Sequence, residues 1–114
     1  MQPIHKPEIQ ARIDRMKDAD LFLHLEMTMG AYASHNDSTK HPAATFISNA
    51  SVRYAQGSIS GEGPYRVGLK TELGWIYSEG LTHVEETEQD RLILAGHDSQ
   101  GKLVVALQLS REPF

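Results

Sequence analysis

The residues best suited to chemistry in this 114-residue chain are His24 and Glu26, in the tripeptide "HLE". Along an extended strand, side chains two apart share a face, so an imidazole and a carboxylate would stand together. A third ligand from another strand, His97 in "AGHD" or His35, would complete a two-histidine, one-carboxylate set. Such a set holds iron or another divalent metal. The plainer alternative is a hydrogen-bonded His–Glu pair on a sheet face, with His97 flanking a turn. His5, His41 and His83 fall at loops or element ends and are given no role.

A second stretch, "GPYRVGLKTELGWIYSEG", nearly spells a phosphate loop. Such a loop needs lysine directly after its second glycine and a helix behind it. Here Leu69 follows Gly68, and the residues behind it form a turn and then strand formers. The nucleotide site is rejected. What remains is a hairpin with Thr71 opposite Trp75, Lys70 opposite Ile76 and Leu69 opposite Tyr77. That register lines Arg66, Gly68 and Lys70 on one side, facing Ser78 and Ile76. Two cations over a floor of Gly68 and Ser78 would take a small anion or a sugar, and Trp75 and Tyr77 could stack on it. The alternative is a solvated face whose cations balance Glu62, Glu72 and Glu79. There is no "GxSxG" elbow and no Ser–His–Asp constellation.

The elements that must hold these residues are mostly strands. "KPEIQARIDRMKDAD" predicts a short helix, with Pro7 and Glu8 in its first turn and Ile9, Ile13 and Met16 on one face. "DLFLHLEMTMG" then alternates, placing Leu21, Leu23, Leu25, Met27 and Met29 together. Further strands are expected around "AYASH", in "ATFISNASVRYAQ" with a bulge, a bend or a turn at "SNAS", and near Ile59. "NDSTKHP" reads as a loop. Two hairpins share one turn pattern, with Gly74 or Gly101 in the left-handed region closing a G1 bulge. In the second, Asp98 faces Lys102 and His97 faces Leu103. That hairpin is apolar on both faces, which predicts a central position covered on both sides. The expected fold is mainly β: one antiparallel barrel-like or sandwich domain over residues 1–114, with a short leading helix.

Composition narrows the function classes. With no cysteine, disulfides and thiolate chemistry are excluded. The formal charge of −4, with basic residues scattered among acids, argues against nucleic acid. No apolar run approaches a membrane span and no secretory signal opens the chain, so the expected compartment is the cytoplasm.

"LFLHLEMTMGAY", "GPYRVGLKTELGWIYSEGLT" and "RLILAGHDSQGKLVVALQLS" together resemble the YojF family, small bacterial proteins of unassigned function. The likeness runs from near the leading helix to "REPF" and is weakest in "NDSTKHP" and "EETEQD". It implies a β-barrel-like fold and carries no catalytic residues to transfer. It also implies a genomic association with a zinc-dependent N-acetylglucosaminyl deacetylase of the bacillithiol pathway. The leading expectation is therefore a non-enzymatic accessory or small-molecule-binding protein, with a deacetylase or a small anionic or sugar ligand as partner. No cofactor is expected. The alternatives are a small enzyme using a divalent metal on His24, Glu26 and His97, and a homodimer joined along an exposed strand edge.

Overall fold

The structure, a computed structural model, describes residues 1–29, 37–39 and 41–114. The strand expected over "AYASH", and His35 with it, lies outside them. A short strand β1 (Gln2–Pro3) precedes the helix α1 (Lys6–Met16). Eight strands follow: β2 (Leu21–Met29), β3 (Ala43–Val52), β4 (Tyr54–Ser60), β5 (Tyr65–Thr71), β6 (Trp75–Leu81), β7 (His83–Val84), β8 (Arg91–His97) and β9 (Leu103–Ser110). They form two antiparallel sheets, one in the order β1-β7-β8-β9-β2-β3 and one in the order β4-β5-β6. The sandwich half of the expectation holds. The barrel half does not, because the two sheets stay open rather than closing on each other.

The helix ends at Met16, four residues before the expected stretch runs out. Asp18 takes a left-handed φ of 61°, which aspartate tolerates better than most side chains. Its N–H then donates to the Tyr54 carbonyl and turns the chain into β2. Ile9, Ile13 and Met16 are buried as their spacing predicts. The Gln10 side chain works as a piece of strand. It donates to the Gly57 carbonyl and accepts from the Ile59 N–H, covering the β4 edge. Buried Arg12 donates to the carbonyls of Glu88 and Arg91, tying the helix to the start of β8.

β8 and β9 lie inside the larger sheet, as their two apolar faces require. Leu92, Leu94, Leu107 and Leu109 join Leu69, Leu81 and Tyr54 in the core between the sheets. The β8–β9 turn has the expected geometry. Gly101 has φ 77°, and Asp98 Oδ1 accepts from the N–H groups of Gln100 and Lys102. Those amides, Lys102 above all, hold the Asp98 carboxyl below the usual aspartate range. This anchoring is complete above that range and is lost as pH falls through the lowered value. Asn49, at φ 53°, marks the bulge at "SNAS", where Ser48 and Asn49 stand against His24 alone.

The alternation of β2 is only half obeyed. Leu21 and Leu23 are buried, but Met27 is 51% exposed. Here the β2–β3 hairpin runs past the shorter three-stranded sheet, in a molecule 44 Å long and about 25 Å across. β3 is exposed along most of its length, including Phe46 and Ile47.

Candidate functional site

The first hairpin differs from its expected register by one residue. Lys70 stands opposite Trp75, Leu69 opposite Ile76, Gly68 opposite Tyr77 and Val67 opposite Ser78. A one-residue slip moves a strand's entire side-chain set to the other face. It is favoured here because buried Val67 and Leu69 then meet Ser78 and Ile76 rather than Glu79 and Tyr77. The turn closes through the Thr71 hydroxyl, which accepts from the Gly74 N–H and donates to the Gly74 carbonyl. Gly74 has no left-handed φ, contrary to expectation, since no G1 bulge forms.

As a result the outer face carries Arg66, Gly68 and Lys70 beside Trp75, Tyr77 and Glu79. The Arg66 guanidinium lies 4.0 Å from the Tyr77 ring centre, and Tyr77 stacks on Trp75 at 5.6 Å with planes only 6° apart. Lys70 Nζ lies 5.9 Å from the Trp75 ring. The order Arg66–Tyr77–Trp75–Lys70 is a pair of stacked aromatic rings with a cation at each end, on open solvent. Gly68 makes it fit, because a Cβ there would stand 3.0 Å from Tyr77 Cε1. Glu79 holds Arg66 by an ion pair of 3.2 Å. The expected cations and aromatics are thus brought together.

Ser78 is not part of this face. It points into the core, buried, and its Oγ has no hydrogen-bond partner among the described residues. An unpaired buried hydroxyl costs free energy that a methyl group does not. Ser78→Ala is therefore expected to raise stability by about 1 kcal/mol. A urea melt checks this, and a lowered midpoint would reveal a partner for the hydroxyl.

The proposed metal triad is not assembled. His24 Nε2 is 3.9 Å from Glu26 Oε2, and His24 Nδ1 meets Ser48 Oγ at 3.0 Å. The carboxyl-terminal residue folds back over this pair, with the Phe114 ring edge-on to His24 and its backbone bonded to Asn49. His24 lies level with Gln108 and Ile93, whereas His97 lies four residues further along β8 and two strands away. Strand geometry puts them on the order of 16 Å apart. His97 meets His83 instead, Nδ1 to Nδ1 at 3.1 Å. Among the described residues no group of three His, Cys, Asp or Glu side chains could hold a metal ion.

A cleft of about 1210 Å³ opens where the β2–β3 hairpin parts from the smaller sheet. Leu23, Leu25, Ile47, Val52, Leu73 and Ile76 give it an apolar lining. Lys17, Arg53 and Lys70 stand around it with Asp18 and Glu72. Of the expected site residues that the structure describes, Lys70 lines it; Arg66, Trp75, Tyr77, His24 and His97 do not.

A family described as "Protein of unknown function (DUF1806)" matches residues 3–114. The chain belongs to this family. Within DUF1806 it is similar to the uncharacterized protein YojF of Bacillus subtilis (strain 168), 47% identical over all of this chain and 98% of that one. The crystal structure of Bacillus subtilis YojF superposes with a TM-score of 0.83 at 45% identity, covering 99% of this chain and 95% of that one. The resemblance read from the sequence motifs is therefore correct. Two features of this DUF1806 chain escaped sequence reasoning. The cleft depends on one hairpin outrunning another sheet, which no local pattern records. The His83–His97 contact depends on the β7–β8 pairing, and the only sequence signal was a second histidine near a strand start.

Proposed function

We propose that this DUF1806 protein is a non-enzymatic accessory protein that binds a partner segment in the cleft between its sheets. Its partner would be an N-acetylglucosaminyl deacetylase of the bacillithiol pathway. The observation that carries the reading is the cleft itself, open, apolar along its walls and of about 1210 Å³. Pockets of that kind, with a few polar groups at the rim, are where proteins take ligands and partner segments. Three cations against two carboxylates surround it on a chain whose overall charge is −4. This local reversal suits a segment with an apolar stretch beside acidic groups. A small anionic or sugar ligand held by Lys70 would use the same charge.

The test is co-purification with that deacetylase, and deacetylase assays with and without this protein. A complex at micromolar concentration is expected, weakened at least tenfold by Ile47→Glu. Ile47 is 45% exposed, so folding tolerates the change. No complex together with no change in rate would sink the reading. Light scattering on the same sample reads self-association through β3, whose residues 43–52 carry no charge and form an exposed edge.

A further inference from the structure

We propose that His83 and His97 form a binding site for a divalent late transition metal, copper(II) ahead of zinc, at the junction between the two sheets. The inference is independent of the cleft, which neither residue lines. The chain leaves the smaller sheet at Leu81 and enters the larger one at His83, opposite Ala95. A register shift between Gly96 and His97 then brings the second imidazole alongside the first. Both side chains are half-buried, so solvent still reaches them.

Three polar atoms converge there. The two Nδ1 atoms are 3.1 Å apart, and Thr82 Oγ1 is 2.6 Å from that of His83. The hydroxyl is itself fixed, because it accepts the His97 backbone N–H. Two neutral imidazoles can share this contact only if one donates and the other accepts. A linear N–H···N bond of this length would set the ring centres about 5.4 Å apart. They are 4.7 Å apart, with planes inclined by 53°. The rings are thus bent away from a linear bond, a disposition that two ligands converging on one ion would share.

A cation would sit within reach of both nitrogens. With metal–nitrogen bonds of about 2.05 Å, the nitrogen separation closes an angle of about 98° at the metal, and the ring-centre separation closes about 95°. Both distances are thus compatible with one shared ion. An angle near a right angle suits neighbouring ligands on tetragonal copper(II), and imidazole nitrogen favours copper over zinc and zinc over manganese. Thr82 Oγ1 and water would fill the remaining positions, since among the described residues no third histidine or carboxylate completes a cluster. Asp98 is turned into its own hairpin, with Oδ1 on the amides of Gln100 and Lys102.

Titration calorimetry of the untagged full-length protein with copper(II), zinc and magnesium tests the site. One equivalent of copper should bind, more tightly than zinc, with no saturable heat from magnesium. His83→Ala and His97→Ala should each weaken copper at least tenfold, while His24→Ala should bind as the unaltered protein does. Because a substitution at the sheet junction can disturb folding, the unaltered protein is also followed by NMR. Substoichiometric copper should broaden the ring signals of His83 and His97 before those of the other histidines. Absence of saturable copper binding, affinity unchanged in both variants, loss on His24→Ala instead, or broadening that begins at other histidines would each overturn the proposal.

Discussion

Replacing Gly96 with alanine is expected to destabilise the protein by about 3 kcal/mol, the upper range for forcing volume into a packed interior. A Cβ at Gly96 would stand 2.0 Å from the Gly80 carbonyl oxygen, 2.9 Å from its carbon and 2.4 Å from Val105 Cγ1. The methyl of Val105 can rotate away, but the Gly80 backbone cannot. Gly80 holds φ 87° at the end of β6, a conformation that suits glycine, just where the chain swings from one sheet to the other. Any relief of the clash must therefore lift β6 off β8 and β9, opening the core between the sheets. Urea denaturation of both proteins measures the effect. An unchanged midpoint would mean that β6 does not cross β8 at this distance.

Ile13→Ala is expected to cost a similar amount, about 3 kcal/mol, for the opposite reason. Ile13 is fully buried, and its Cγ2 fills the place a side chain at residue 57 would occupy, 2.6 Å from a Cβ built on Gly57. A cavity costs most where the surroundings cannot collapse into it. Here they cannot, because the helix is bonded to β4 on both sides of the gap. Gln10 holds the backbone at Gly57 and Ile59, and the buried Tyr54 hydroxyl donates to the Ile13 carbonyl at 2.6 Å. That carbonyl is among the last four of the helix, which have no partner within it. Tyr54→Phe separates the two contributions. It keeps the packing, removes the bond and should cost about 1–2 kcal/mol. If Ile13→Ala cost no more than Tyr54→Phe, the helix would be free to settle into the gap.

The legible parts of the fold are those that follow from neighbours in sequence. The Ile9, Ile13 and Met16 spacing marked the buried face of α1, and "SNAS" marked an irregularity, which the structure resolves as the bulge that Asn49 makes. The β8–β9 hairpin was readable down to its pairing, because Asp98 and Gly101 define one turn and both flanking strands are apolar. The first hairpin looked the same on paper. There Thr71 closes the turn onto Gly74 with its own hydroxyl and N–H, and the one-residue change of register moved Trp75 and Tyr77 out to Arg66 and Lys70 and took Ser78 inside.

Residue order alone therefore established a mainly β, cysteine-free chain with a leading helix, its family and most of its strands. It also established that Arg66 and Lys70 share a face, since alternation along one strand needs no partner. Three matters rested on contacts between distant segments: which aromatics join those cations, which histidine meets His97, and that the β2–β3 hairpin leaves a cleft beside it. Each depends on the register between strands or the distance between sheets. Those are decided by which pairing buries most apolar surface across the whole core, a quantity no single strand contains.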